Sequence, residues 1–101
     1  MNGYFRFPTI YKNIIVFVSE DDLWTVDVEK PIARRLTSNI ANVSSPIISP
    51  DGKLIAYIGN EDGNTEIYLM PINGGISKRL TYEGGHISKI TYWDKNNIYY
   101  S

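Results

Sequence analysis

The chain contains an internal repeat that constrains its fold more than any other feature. The motif Arg34-Arg35-Leu36-Thr37 recurs as Lys78-Arg79-Leu80-Thr81. The two copies start at positions 34 and 78, which gives a period of 44 residues. Leu23-Trp24 recurs at the same spacing as Ile67-Tyr68. A period of about 40 to 50 residues, with four short strands in each unit, is typical of the blades of a β-propeller.

Residue types and their distribution favour short strands throughout. The sequence has 8 tyrosines, 3 phenylalanines and 2 tryptophans, and its aromatic and β-branched residues form short runs bounded by Gly, Pro, Asn and Asp. Such runs at spacings of about 8–12 residues are typical of an all-β domain. No window has the period of an amphipathic helix. We therefore predict the all-β class.

The repeat assigns the predicted strands to blades. Residues 15–18 are matched by residues 55–58, and residues 98–101 begin a third copy. The first blade (residues 1–41) is predicted to contain strands at 5–11, 13–19, 23–28 and 33–37. The second blade (residues 42–84) is predicted to contain strands at 43–49, 54–59, 65–72 and 76–82. A partial third blade (residues 85–101) is predicted to contain strands at 86–93 and 97–101.

The length of the chain does not suffice for a closed propeller. Its 101 residues supply about two and a half four-stranded antiparallel blades, whereas a ring of four blades needs roughly 170 residues. We therefore predict a single incomplete β-propeller domain over residues 1–101. Its second strands are continuous apolar runs, as expected where neighbouring blades cover both faces. Open blade faces and unpaired strand edges predict self-association.

Charge and composition argue against several classes of partner and site. Ten basic and eleven acidic residues give a net charge of -1 without any block of like charge, so we predict no nucleic-acid and no membrane partner. The lack of cysteine excludes disulfides and zinc–thiolate sites, and a single histidine excludes a multi-histidine metal centre. We predict no metal and no cofactor. The N-terminal residues lack the features of a secretory signal, which predicts a cytoplasmic protein.

Few side chains suit catalysis. His86 lies in a predicted loop, and Ser44, Ser45 and Ser88 lie in comparable loops, but none of these serines stands in a nucleophile-elbow motif. We therefore interpret His86 as a solvated loop residue and predict no catalytic residues. Glu20-Asp21-Asp22 could supply paired carboxylates, yet adjacent strand residues point to opposite faces, so a polar hairpin turn is the favoured interpretation.

The remaining candidate binding groups also have structural interpretations. Asp62-Gly63-Asn64 lacks the alternating acidic ligands of a calcium loop and is interpreted as a turn. Gly74-Gly75 precedes no helix and is not expected to bind phosphate. The pairs Arg34-Arg35 and Lys78-Arg79 could bind anionic groups, but on outer strands they are expected to face solvent and discourage strand addition. Four aromatic residues could form a recognition surface and are instead predicted to lie in the core between blades: Trp24, Tyr68, Tyr92 and Trp93.

Two sets of motifs resemble known repeats. The first set comprises residues 49–57, which begin with Ser49-Pro50-Asp51-Gly52, then residues 62–70 and Lys78-Arg79-Leu80-Thr81; it resembles the TolB-type propeller repeat. The second set lies in the first predicted blade and comprises Phe7-Pro8-Thr9-Ile10, residues 15–26 and residues 33–38. With these motifs the chain resembles the N-terminal region of the tricorn protease family over nearly its whole length.

The resemblance implies activity for a larger protein. Tricorn-type enzymes begin with a six-bladed propeller, which is followed by a seven-bladed propeller and a serine-peptidase region with a PDZ module. They form hexamers and degrade peptides released by the proteasome. None of the family's catalytic serine, histidine or glutamate positions matches a residue of this chain, so the resemblance predicts no enzymatic activity for the chain alone.

The function that the resemblance implies is structural. The chain would be an N-terminal propeller fragment that walls a channel for short peptides, with residues 38–42 and 83–87 as contacts and the remaining domains of the protease as partners. A second hypothesis is a free-standing TolB-like interaction module that completes its ring by oligomerisation. A third is an active protease, which would require coding sequence beyond Ser101.

Overall fold

The computed structural model describes residues 6–37, 42–60, 63–84 and 87–101. Within these ranges the regular structure consists of ten short strands: β1 (Arg6–Tyr11), β2 (Ile14–Ser19), β3 (Asp22–Asp27), β4 (Lys30–Arg35), β5 (Ser44–Ile48), β6 (Leu54–Gly59), β7 (Glu66–Pro71), β8 (Lys78–Arg79), β9 (Ile90–Asp94) and β10 (Asn97–Tyr100). No helix in this part of the chain could cross a membrane. The all-β prediction is confirmed.

The strands form three antiparallel sheets whose strand order follows the sequence. Sheet one contains β1-β2-β3-β4, sheet two contains β5-β6-β7-β8, and sheet three pairs β9 with β10. Antiparallel strands that are adjacent in sequence need only short hairpin connections. A four-stranded meander of this kind is the unit of a propeller blade, and sheets one and two both have this architecture.

Three strands differ from their predicted bounds by three or more residues at one end, while the others agree to within one residue at each end. β4 is Lys30–Arg35 instead of residues 33–37; it includes Pro31, which an edge strand tolerates because its outer N–H groups have no ladder partner. β8 is Lys78–Arg79 instead of residues 76–82. The ladder ends there because the N–H of Ile67 in β7 donates to the Thr81 hydroxyl and not to a backbone carbonyl. β9 is Ile90–Asp94 instead of residues 86–93, because residues 88–89 bond to Ser101 without forming a ladder.

A hydrophobic core fills the space between sheets one and two. Its buried members are Val16, Val18, Leu23, Val43, Ile48, Ile55, Tyr57, Tyr68 and Met70. Alternate residues of each strand point into this core, as the pleat requires. At about 25 cal/mol for each Å² of apolar surface removed from water, this contact is the main force that holds the two sheets together.

A second core joins sheets two and three. It contains Ala56, Ile58, Ile67, Ile87 and Ile90, against which Trp93 and Ile98 pack. β6 therefore contributes to both cores, with Ile55 and Tyr57 on one face and Ala56 and Ile58 on the other. This two-sided burial explains why the strand is a continuous apolar run.

Left-handed backbone conformations occur in several turns, including the β2–β3 and β5–β6 turns. Glu20 (φ 51°) and Asp21 (φ 68°) form the two-residue turn between β2 and β3, as a type I′ hairpin requires. Gly52 (φ 77°) lies in the turn between β5 and β6, and a Cβ atom there would overlap the ring of Tyr11 from sheet one. This glycine therefore permits both the turn and the close approach of the neighbouring sheet.

Candidate functional site

A buried carboxylate organises the outer part of sheet two. The side chain of Glu66, at the start of β7, is inaccessible to solvent. Its Oε1 accepts a hydrogen bond from Thr81 Oγ1 at 2.6 Å, and its Oε2 lies 3.2 Å from Nη2 of Arg79. The Thr81 hydroxyl in turn accepts the N–H of Ile67 at 2.9 Å. We call these four residues the second carboxylate clamp.

The same arrangement occurs in sheet one, 44 positions earlier. Asp22 Oδ1 accepts a hydrogen bond from Thr37 Oγ1 at 2.7 Å, and that hydroxyl accepts the N–H of Leu23 at 3.0 Å. Arg35 Nη1 lies 3.7 Å from Asp22 Oδ2. We call these residues the first carboxylate clamp. In both sheets the clamp holds the segment after the outer strand against the third strand.

The second clamp also directs the chain out of sheet two. The backbone N–H groups of Glu83 and Gly84 each donate to the Glu66 carboxylate at 2.9 Å. These residues begin the connection from sheet two to sheet three. Because a buried carboxylate is costly unless it is paired and hydrogen-bonded, this set of donors explains how a charged residue is accommodated there.

The clamps correct the sequence interpretation of the basic pairs and of the acidic turn. Arg79 was expected to face solvent, yet its side chain is only 19% exposed, whereas that of Arg35 is 51% exposed. Arg34 reaches across to sheet two, where its Nη2 donates to the Asn73 carbonyl at 3.0 Å. Asp22 is a buried ion-pair member, and only Glu20 and Asp21 form the polar turn. The 44-residue spacing between Asp22 and Glu66 was the sequence feature that could have indicated their equivalent roles.

Two grooves lie between the sheets at the end that carries the β1–β2, β5–β6 and β9–β10 turns. The first groove, between sheets one and two, has a volume of about 290 Å³ and is lined by Tyr11, Lys12, Asn13, Ile14, Thr25, Asp27, Gly52, Ile72 and Asn73. The second groove, between sheets two and three, has a volume of about 410 Å³ and is lined by Ser49, Pro50, Asp51, Leu54, Trp93 and Lys95.

The second groove combines opposite charges with an aromatic ring. Ser49 Oγ donates to Asp51 Oδ1 at 2.6 Å, and Lys53 N–H donates to the same oxygen at 3.0 Å. These hydrogen bonds lower the pKa of the Asp51 carboxyl below its ordinary value, with the hydroxyl bond as the largest cause. Asp51, Lys95 and Trp93 thus offer an anion, a cation and an indole, which suit a short zwitterionic or polar peptide segment.

The four aromatic residues have different environments. Tyr68 is buried and stacks on Tyr57 with ring centroids 5.7 Å apart, and Trp93 packs against the second core, as predicted. Trp24 is half-buried, and its buried Nε1 atom has no hydrogen-bond partner among the residues that the structure describes. The prediction is wrong for Tyr92, which is 58% exposed, because no sheet in the described part of the chain covers the outer face of sheet three.

Some of the candidate residues lie outside the described ranges. His86, Asp62 and residues 38–41 lie outside the described ranges, as does part of the predicted contact segment at 83–87. Ser88 Oγ donates to the Ser101 carbonyl at 3.1 Å and thereby joins the ends of sheet three. Within the described ranges no group of three or more His, Asp or Glu side chains could hold a metal ion.

Comparison with known sequences identifies a family and several relatives. Residues 2–101 match the family described as "Tricorn protease N-terminal beta propeller domain". "Tricorn protease homolog 1" of Streptomyces coelicolor is 34% identical over 91 residues, which are 90% of this chain and 8% of that protein. "Putative Tricorn-like protease N-terminal subunit" of Sulfurisphaera tokodaii is 36% identical over 99 residues, with 92% of this chain and 49% of that protein covered.

Comparison with solved structures gives similar matches. The crystal structure of the tricorn protease aligns with a TM-score of 0.72 and 30% identity, over 83% of this chain and 8% of that one. The crystal structure of TolB from Acinetobacter baumannii aligns with a TM-score of 0.71 and 18% identity, over 99% of this chain and 29% of that one. The second match concerns the fold alone. The chain therefore spans a small part of these larger proteins.

Proposed function

Because the chain belongs to the tricorn protease N-terminal β-propeller domain family, we propose that it serves as a propeller fragment of a tricorn-like serine peptidase. In this role it has no catalytic activity of its own and walls a channel for short peptides. We further propose that these peptides are released by the proteasome and that the protein acts in the cytoplasm. In this proposal its three blades comprise residues 1–41, residues 42–84 and, for the partial third blade, residues 85–101.

The repeated carboxylate clamp is the observation that carries this proposal. Asp22 and Glu66 occupy equivalent places in consecutive sheets, and each is committed to a threonine and an arginine of its own sheet. Buried groups with such partners stabilise an arrangement of strands and are not available to a substrate. These two buried carboxylates thus stabilise the strand arrangement within each sheet, which supports a structural role in a propeller wall.

The grooves supply the peptide contacts in this proposal. Both lie between neighbouring sheets, where a passing peptide would meet the Asp51 carboxylate, the Lys95 ammonium group and the Trp93 indole of the second groove. The relative from S. tokodaii is named an N-terminal subunit. By analogy, the partners of this chain would be the remaining domains of the protease, carried on one or more other polypeptides.

Activity measurements test the proposal directly. The purified chain, incubated with fluorogenic peptides that carry basic, aromatic or acidic residues before the fluorophore, is expected to give no turnover above buffer. Mixed with the polypeptide that carries the remaining domains of a tricorn-like peptidase, it is expected to co-purify with that polypeptide. Steady turnover by the chain alone, or its failure to associate, would contradict the proposal.

Groove binding has its own test. Addition of a short alanine peptide is expected to shift the NMR signal of the Trp93 indole N–H, and the variants Asp51→Asn and Lys95→Ala should each weaken this effect. Arg34→Ala, which changes a residue outside the second groove, is the matched control. An equal shift in all three variants would exclude the groove as the binding site.

A second function is favoured by the open face of sheet three. Tyr92 and Tyr99 lie side by side on this face, with ring centroids 6.0 Å apart and exposed fractions of 58% and 48%. A free-standing interaction module could cover these rings by closing a propeller from several copies of the chain. Light scattering distinguishes the two functions, since the module predicts a discrete oligomer and the fragment does not.

A further inference from the structure

The outer edge of sheet three presents unpaired backbone groups. Tyr99 directs its carbonyl toward β9, where Thr91 Oγ1 donates to it at 3.1 Å, and Ser101 N–H donates to the Lys89 carbonyl at 2.9 Å. Backbone groups alternate in direction along a strand, so those of Ile98 and Tyr100 point away from β9. No strand of the described ranges pairs with that edge of β10.

An aromatic pair marks the equivalent position in the other two sheets. Phe17 of β2 lies opposite Trp24 of β3, and Tyr57 of β6 lies opposite Tyr68 of β7 in a stacked pair. The repeat places Tyr100 at the position of Phe17 and Tyr57. Its side chain is 39% exposed, and the opposite position belongs to a strand that these ranges do not contain.

The two observed third strands define what fits this edge. β3 begins with Asp22-Leu23-Trp24, and β7 begins with Glu66-Ile67-Tyr68. Both therefore start with a carboxylate, an aliphatic residue and an aromatic residue. The carboxylate is the centre of a clamp, and the aromatic residue pairs with the second strand.

We propose that β10 accepts, as an added antiparallel strand, an extended acidic–aliphatic–aromatic segment, with its aromatic ring opposite Tyr100. Strand addition derives affinity from main-chain hydrogen bonds and specificity from alternate side chains. The assignment of the donor to the remaining part of a tricorn-like protease rests on the function proposed above; the acceptor edge itself does not.

A peptide with the sequence of residues 63–72 is the probe for this edge. In sheet two, the backbone N–H of Ile67 donates to Thr81 and its carbonyl accepts from Leu80. The backbone N–H and carbonyl groups of Ile67 and Leu69 therefore point away from β6, and those of Tyr68 and Met70 point toward β6. Methylation of the peptide nitrogens at the positions of Tyr68 and Met70 is expected to abolish binding. Methylation at the positions of Ile67 and Leu69 removes as many donors from the opposite edge and is the matched control.

Fluorescence anisotropy of the labelled peptide with the full 101-residue chain measures binding, and hydrogen exchange locates it. The amides of Ile98 and Tyr100 are expected to gain protection. Tyr100→Ala should weaken binding about three- to tenfold, the range expected for loss of one aromatic pair. Tyr82→Ala, which removes a tyrosine that is 73% exposed and not part of sheet three, should leave binding unchanged.

Equal binding of the two methylated peptides would overturn the proposal, because the comparison leaves the protein unaltered and does not depend on the folding of a variant. Lack of binding by the unmodified peptide, or protection of amides elsewhere than at Ile98 and Tyr100, would also overturn it. If the chain co-purifies with the remaining protease domains but the peptide does not bind at β10, strand addition is contradicted and the proposed function is not. Peptide binding without that association would contradict the proposed function alone.

Discussion

At the scale of single residues, Ser49 organises the turn that joins β5 to β6. Its hydroxyl oxygen accepts the backbone N–H groups of Lys53 at 3.1 Å and Leu54 at 2.9 Å, while its proton is donated to Asp51. A hydroxyl can fill both roles because it has one donor and two acceptor sites. The sequence Ser49-Pro50-Asp51-Gly52 thus forms a closed local network next to the second groove.

This network predicts the titration of Asp51. Its pKa lies below the ordinary value of 3.8, so the carboxylate stabilises the turn above that pH and loses this effect as the pH falls through its folded pKa. We expect an NMR titration midpoint below 3.8 for Asp51 and a rise of this midpoint toward the ordinary value in Ser49→Ala. Ser88→Ala, at a hydroxyl outside the network, is the control. An unchanged midpoint in Ser49→Ala would show that the hydroxyl does not hold the carboxylate.

At the scale of elements, the clamps explain how very short outer strands stay attached. β8 has two residues, yet the segment that follows it is bound to β7 through Thr81 and Glu66. Arg79 adds a second attachment, since its Nε donates to the Thr81 carbonyl at 2.9 Å. Side chains here replace the backbone ladder that a longer strand would form.

The two clamps are expected to differ in strength. Glu66→Gln keeps the size of the side chain but removes the buried charge partner of Arg79. It also disturbs the hydrogen bonds from the Glu83 and Gly84 N–H groups. We therefore expect the free energy of unfolding to fall by about 3 kcal/mol. Asp22→Asn breaks a longer ion pair with a half-exposed arginine and should cost about 1 kcal/mol. Urea denaturation of both variants measures the difference. Equal losses would show that the added contacts of Glu66 contribute nothing.

At the scale of the whole molecule, the three sheets are unequally supported. Sheet two is covered on both faces, because it contributes to both cores. In the described part of the chain, sheet three has two strands and one covered face, and a two-stranded sheet is marginal in isolation. Stability should therefore fall from the middle sheet toward the C-terminal residues.

Hydrogen exchange tests this gradient. The amides of β9 and β10 are expected to exchange at least about tenfold faster than those of β6, since local opening costs less free energy where fewer apolar contacts are lost. The buried strand β2 of sheet one provides an internal reference within the same sample. Uniform protection across β6, β9 and β10 would contradict the gradient.

Local pattern alone sufficed for much of the fold. The 44-residue period, the short aromatic and β-branched runs and the turn residues at Asp51-Gly52 predicted the strand order and the four-stranded units, because hairpins depend on residues close together in sequence. The burial of Tyr68 and the packing of the half-buried Trp93 against the second core also followed from their positions on apolar strands. The ends of β4 and β8 did not, because they depend on the side chains of Thr37 and Thr81.

The sequence by itself determined that this is an all-β chain built from a repeated unit, since the period and the residue types are properties of the chain alone. Only the tertiary structure decided that Asp22 and Glu66 are buried, that Arg79 pairs with Glu66, and that Tyr92 is exposed. The reason is physical: the charge of a side chain does not reveal whether a neighbouring strand supplies its partner, and an aromatic residue on a strand is buried only where another sheet covers that face.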